Sequence, residues 1–231
     1  MKPLIDIIAG ARPNFRKIAP IIKALEARKG TGLRYRLVHT GQHYDARMSG
    51  DFFAQLGIPE PDVNLEVGSG TQAEQTANIM VRYEKLLLEA RSDLCLVVGD
   101  VTSTMACAIV ARKLCVRVAH VEAGIRSGDW SMPEEVNRLV TDAITDYFFT
   151  TSETANENLR RAGVTTKKIF FVGNTMIDTL LSHINDLRQP AFWEELGLEF
   201  GNYFVLTLHR PANVDGLDGF AKLLESIGQG A

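Results

Sequence analysis
Cysteine is scarce in this chain: three among 231 residues, with no paired spacing and no CxxC. That excludes a disulfide-stapled scaffold and a thiolate zinc centre. Cys95, Cys107 and Cys115 each sit among apolar residues and read as reduced core thiols. Long hydrophobic runs are missing too. No stretch approaches the roughly 18 apolar residues of a membrane span. Asp6 breaks the first apolar run after two residues, so no signal peptide is predicted. The expected location is the cytoplasm, with no membrane partner. There is no excess of positive charge: 25 Lys and Arg against 28 Asp and Glu give a net charge of −3. The broad basic footprint of a nucleic-acid binder is therefore absent, and no nucleic-acid partner is expected. No HExxH, no nucleophile elbow, no internal repeat and no low-complexity segment occurs. Neither a metal site nor a cofactor is predicted.

What is present is an ordinary globular composition, 45% hydrophobic and 23% charged. At roughly 150 residues per domain, the length corresponds to about one and a half domains. Short apolar runs, Leu4–Ala9, Tyr35–Thr40, Leu94–Val98, Val116–Val121, Tyr147–Thr150 and Ile169–Val172, read as buried parallel strands. Helical spacing fills the gaps. Ile79, Tyr83, Leu86 and Leu87 recur in 72–90, and Val136, Leu139, Val140 and Ile144 in 134–145. Pro20 predicts a kink or restart in the helix that follows the first strand. The fold class is α/β: a Rossmann-like parallel sheet flanked by helices. Residues 1–172 form this domain, and 173–202 a helix (174–188) and a linker. Residues 203–231 read as the first strand, Tyr203–Leu208, and the first helix, Phe220–Ile227, of something further.

In open α/β sheets ligands bind beyond the carboxyl ends of the strands, so the residues just after each strand are the candidates. Arg12, Arg16 and Lys17 follow the first strand in GARPNFRK, which is not a GxGxxG dinucleotide loop. They belong to an N-terminal stretch, 1–47, with ten Lys and Arg against three Asp and Glu. An anionic ligand would suit it, and a solvated basic surface is an equal reading. His43 follows the second strand. Asp100 follows the third long run, then Thr102, Ser103 and Thr104, which look like helix N-cap material. Glu122 and Arg126 follow Val116–Val121, with Arg126 able to pair with Asp129. Pro133, Glu134 and Glu135 open a helix with proline and acids where its first turn favours them. His209 and Arg210 follow Tyr203–Leu208. Singly, Asp100 or Glu134 could be a helix-terminus acid, and His43 or His209 a structural histidine. Together, carboxylates, a histidine and a rim of cations suit acid–base work on a phosphorylated substrate.

The segments GARPNFRKIAP, LVVGDVTST, HVEAGIRSGDWSMPEEVNR, FVGNTMIDTLL and TLHRPANVD, in this order, resemble the non-hydrolysing UDP-N-acetylglucosamine 2-epimerase family of bacteria and archaea. The likeness runs through nearly the whole chain and is densest between 94 and 181. It implies the N-terminal half of a GT-B-like architecture, two Rossmann-like domains around a cleft. Family members are longer, so 203–231 reads as the opening of a truncated C-terminal domain. By the same resemblance Asp100, Glu122, Glu134 and His209 are catalytic. Arg12, Lys17 and Arg210 are substrate-side cations, with His43 and Arg126 as further substrate-binding candidates. A homodimer is expected from the family alone. Many members carry Glu where this chain has Asn14. That neutral residue is compatible with relatives acting on UDP-sugars that bear a 3-acetamido group and a uronic acid.

The implied reaction inverts C2 of a UDP-N-acetylhexosamine, UDP-GlcNAc to UDP-ManNAc or a 3-acetamido uronic acid analogue. The C2 hydrogen is not acidic on its own. As UDP leaves C1, oxocarbenium character there makes it removable, and elimination gives a glycal. Re-addition of UDP with protonation from the opposite face inverts C2. The site needs a base on one face, an acid on the other, cations for UDP and exclusion of water. Two other readings stand beside this one: an inactive fragment that only binds or dimerises, and a GT-B glycosyltransferase.

Overall fold
The computed structural model describes residues 2–28, 30, 32–41, 53–208 and 217–230. Strands β1 (Leu4–Ala9), β2 (Arg34–His39), β3 (Val63–Asn64), β4 (Leu94–Val98), β5 (Arg117–Val121), β6 (Tyr147–Thr150) and β7 (Ile169–Phe171) form one sheet, in the order β3-β2-β1-β4-β5-β6-β7. Every pairing is parallel. Successive side chains leave a strand on opposite faces, and both faces here are apolar. Ile8, Val38, Cys95, Val97 and Val118 enter one core, while Ile7, Leu37, Leu96, Val98 and Ala119 enter the other. That double burial is why these strands read as continuous hydrophobic runs.

Helices α1 (Arg12–Ala27), α2 (Gln72–Glu89), α3 (Thr102–Lys113), α4 (Pro133–Ile144), α5 (Glu153–Arg161) and α6 (Thr175–Ser182) complete the layers. Phe15, Ile18, Ala19 and Ile22 seat α1 on the second core, and Ile79, Tyr83 and Leu87 seat α2 on the first. A capping box starts α2, with Thr71 accepting from the Glu74 amide and Glu74 accepting from the Thr71 amide. Strand order runs outward from β1 in one direction and from β4 in the other. The crevice at their carboxyl ends is thus a topological switch point.

Several sequence expectations are corrected. Helix α1 runs unbroken through Pro20. Proline has no amide hydrogen, so the Arg16 carbonyl loses its usual donor four residues on. Thr179 Oγ1, from α6, stands 2.6 Å from that carbonyl and donates to it. This contact and the packing of α6 along α1 explain why the compact unit extends to Ile184 instead of ending at 172. The helix expected over 174–188 stops at Ser182. Cys95 and Cys107 are buried, but Cys115 is exposed, in the turn before β5 at φ +56°. Strand β3 has only two residues and is not visible as an apolar run.

The second unit, Asn185–Ala231, contains α7 (Phe192–Glu195) and α8 (Leu217–Gly230), with Trp193 edge-on to Tyr203 at 4.9 Å. The strand expected at Tyr203–Leu208 is not formed. A strand needs a neighbour for its backbone groups, and the described residues of this unit include none.

Candidate active site
The β4–β5 register sets the site. Val98 lies opposite Val121, and the Gly99 amide donates to the Val121 carbonyl at 2.9 Å. Gly99-Asp100 and Glu122 therefore leave the sheet side by side. Gly99 has φ +68°, and a Cβ there would stand 3.1 Å from Lys17 Nζ and 3.7 Å from Glu122 Oε2. Glycine lets the Lys17–Glu122 ion pair, 2.5 Å long, lie directly over the turn. Glu122 itself has φ +67°. A non-glycine residue in that region is a local strain of the kind that gathers at functional sites.

Lys17 is delivered by α1, whose start is fixed by Asn14. Its Oδ1 accepts from the Gly10 and Ala11 amides at 3.1 and 3.0 Å, and its Nδ2 donates to the Val98 carbonyl at 3.1 Å. Asn14 is 1% exposed, and both ends of its amide are committed to the backbone. Arg12 is the first residue of the same helix. Thr102, Ser103 and Thr104 are not the N-cap of α3. Val101 takes that place with no side-chain bond, and Thr104 donates to the Val98 carbonyl at 2.8 Å.

Helix α4 supplies the other wall. Arg138 pairs with the Asp100 carboxylate, and Asn137 Nδ2 donates to the Asp100 carbonyl at 2.8 Å. Glu134, in the first turn, is half-buried and has no hydrogen-bond or ion-pair partner among the described residues. It borders a cavity of about 170 Å³, with Ala11, Gln72, Thr102 and Asn137. Glu135 behaves differently. It is 2% exposed and accepts from the Ser127 amide and hydroxyl, the Gly128 amide and Arg138. Burial pushes its carboxyl up, but these donors outweigh it and hold the group below its ordinary value. Glu135 builds the loop, while Glu134 faces the cavity.

Behind the site lies a buried polar chain. His120, fully buried in β5, has Nε2 at 2.8 Å from the Gly99 carbonyl and Nδ1 at 2.7 Å from Asp142 Oδ1. Asp142 Oδ2 accepts from the Gly124 amide at 3.1 Å and from Arg126 at 2.7 Å. Burial raises the Asp142 carboxyl, and the His120 and Arg126 contacts overcome it, so the net shift is downward. Arg126 thus pairs with Asp142, not Asp129, which instead accepts from the Ser131 amide and hydroxyl. Gly124 is required here. At φ +79°, a Cβ would lie 2.4 Å from the Ala155 carbonyl oxygen.

The structure brings Lys17, Asp100, Glu122 and Glu134 to one end of the sheet and turns Arg126 inward beneath them. His43, His209 and Arg210 lie outside the described residues, as does the Arg12 side chain. Sequence reasoning missed Arg138, Asn137, His120 and Asp142. One signal was available: Arg138 stands four residues after Glu134, on the same helix face. Among the described residues, no group of three His, Cys, Asp or Glu could hold a metal, and no helix is long and apolar enough to cross a membrane. Three carboxylates with two cations at a switch point can move protons beside an anionic leaving group.

Residues 23–230 match the family described as UDP-N-acetylglucosamine 2-epimerase. The UDP-N-acetylglucosamine 2-epimerase of Methanocaldococcus jannaschii is 43% identical over 96% of this chain and 61% of its own length. The UDP-2,3-diacetamido-2,3-dideoxy-D-glucuronate 2-epimerase of Pseudomonas aeruginosa is 39% identical over 96% of this chain and 62% of its own. The crystal structure of the Methanocaldococcus jannaschii UDP-GlcNAc 2-epimerase in complex with UDP-GlcNAc and UDP superposes with a TM-score of 0.83, at 42% identity. That superposition covers 98% of this chain and 62% of the other. This chain therefore spans about three fifths of the length of these relatives, and it belongs to the UDP-N-acetylglucosamine 2-epimerase family.

Proposed function
We propose that this chain is the N-terminal, catalytic-side part of a GT-B-like epimerase that inverts C2 of a UDP-N-acetylhexosamine through elimination and re-addition of UDP. The observation that carries the reading is the meeting of Asp100, Glu122 and Glu134 with Lys17 and Arg138 at the carboxyl ends of β4 and β5. Asp100, Glu122 and Glu134 handle the C2 proton on the two faces of the sugar. Lys17, with Arg12, Arg210 and His43, meets the phosphates, and His209 assists the leaving oxygen. Residues 203–231 open the second domain, the protein works in the cytoplasm, and it forms a homodimer. The relatives at 43% and 39% identity are named for different sugars, so the substrate class is a UDP-HexNAc with or without a 3-acetamido uronate.

The test is incubation with UDP-GlcNAc and its 3-acetamido uronate analogue in heavy water. Deuterium is expected at C2 of the recovered sugar nucleotide. A lack of exchange with every such sugar, in a protein that binds UDP by calorimetry, would exclude the epimerase reading. A lack of UDP binding as well would favour a non-catalytic fragment, a reading suggested by the three-fifths coverage of the relatives.

A further inference from the structure
We infer that His120 and Asp142 are positioning residues that lock the turns bearing Asp100 and Glu122 onto α4, the helix that bears Glu134. Their catalytic meaning rests on the epimerase reading, whereas the locking itself is a property of this chain. The Gly99 carbonyl can only accept, so the His120 nitrogen 2.8 Å away must carry a hydrogen. The other ring nitrogen meets Asp142 Oδ1, and Oδ2 meets the Gly124 amide and Arg126. Gly99 is one residue before Asp100, and Gly124 is two after Glu122. A single carboxylate on α4 thus reaches, directly or through one imidazole, both acid-bearing turns. Asn137 and Arg138, on the same helix, hold the carbonyl and the carboxylate of Asp100.

The chain of contacts runs between site-bearing segments. It ends at Gly99, Gly124 and Arg126, all at the carboxyl edge of the sheet. An α-helix rises about 1.5 Å per residue, so Glu134 and Asp142 are roughly 12 Å apart on one stiff rod. Fixing Asp142 at one end fixes where Glu134 stands at the other. Without the His120 donor, the Gly99 carbonyl would be buried unpaired and the turn would move to find water. A displacement of about 1 Å at a reacting group costs on the order of 10²-fold in rate.

Two substitutions separate the halves of the lock. His120→Gln places its amide near the Nε2 position and retains a donor for Gly99. His120→Asn places its amide near Nδ1, retaining Asp142 and releasing Gly99. Hydrogen exchange on the 231-residue chain is expected to rise on the order of tenfold over residues 99–102 in His120→Asn. It should change little there in His120→Gln, with β1 and β2 unaffected in both. Should His120→Asn fail to fold, Asp142→Asn is read at the Gly124 amide, where faster exchange is expected. Equal rises in both His120 variants, or a rise spread evenly over the sheet, would overturn the inference. In the heavy-water assay His120→Asn should lower kcat about 10²-fold with KM nearly unchanged, and His120→Gln should recover much of that loss. If the parent protein binds UDP but exchanges no C2 hydrogen, the epimerase reading fails, while the amide exchange still decides the lock.

Discussion
The Arg16 carbonyl offers a sharp test of how this fold tolerates a proline inside its first helix. Pro20 removes the amide that would bond that carbonyl, and Thr179 supplies a hydroxyl 2.6 Å away. The same hydroxyl has a second acceptor, Thr175, at 3.3 Å, but it has one hydrogen and the shorter contact takes it. Thr179→Val keeps the shape and removes that donor from a site 9% exposed. The expected loss is roughly 1–3 kcal/mol. In a domain of this size that lowers Tm by roughly 2–4 °C per kcal/mol. Pro20→Ala restores an amide four residues after Arg16, so Thr179→Val in that background should cost under about 0.5 kcal/mol. The difference, on the order of 0.5–3 kcal/mol, is the coupling read from a double-mutant cycle of urea melts. Thr179→Ser should behave like the parent. Additive effects of Pro20→Ala and Thr179→Val would refute the argument, because they would show the hydroxyl and the missing amide to be independent.

Arg36 neutralises Asp6, which is fully buried and also accepts from Tyr83 at 3.0 Å. Arg36→Met should therefore cost roughly 3–5 kcal/mol in a chemical melt, with much of it recovered by adding Asp6→Leu. Gly124→Ala combines a positive φ with a contact to a main-chain oxygen. It should lose markedly more stability than Gly128→Ala, where φ is +73° and nothing lies within 4 Å of the added carbon. Equal losses would show that the contact is relieved at no cost. Glu122→Gln should lower C2 exchange by about 10²-fold or more in a protein that still folds, as checked by its melt. Near-normal exchange would remove Glu122 from the catalytic set. Glu135 and Asp142 are both held below their ordinary values. Their stabilisation is thus complete above the unfolded carboxylate range and is lost as pH falls through the folded values. Melts between pH 7 and pH 3 should show this acid loss, flattened in Glu135→Gln.

The central strands were legible because β1, β2, β4 and β5 bury residues on both faces, and β1, β4 and β6 have the bounds their apolar runs suggest. The same kind of run at Tyr203–Leu208 forms no strand, since an apolar run reports a capacity for burial, not the presence of a partner. Conversely, β3 is a strand only because Val63 pairs with Val38. At the site, Asp100 and Glu122 were singled out because the ends of parallel strands are known positions, and Lys17 and Glu134 because the helices that follow those ends carry them. Asn137 was not, since a polar residue inside a helix reads as solvent-facing until its neighbours are placed, and the sequence cue to Arg138 was its spacing from Glu134 alone. The alternative pairing of Arg126 with Asp129 fails for a related reason. Asp129 is near in sequence, but Asp142 is near in space.

Helix α4 shows why that second class resists sequence reasoning. Its spacing of Val136, Leu139, Val140 and Ile144 predicts an ordinary helix with an apolar stripe on the core. Yet Val136 is 38% exposed, and the buried residues are Glu135, Asn137, Thr141 and Asp142. A buried polar face costs free energy unless each group is paired. Here Glu135 takes donors from Ser127, Gly128 and Arg138; Asn137 donates to Asp100; Thr141 donates to Asn137; and Asp142 takes His120, Gly124 and Arg126. Apolar contact tolerates a small slide along the helix axis, because one methyl packs much like the next. Hydrogen bonds at fixed angles do not. A helix whose Asn137 and Arg138 both grip Asp100 is therefore better seated by direction than by buried area. The polar residues that blur the amphipathic pattern of α4 are the ones that fix its register.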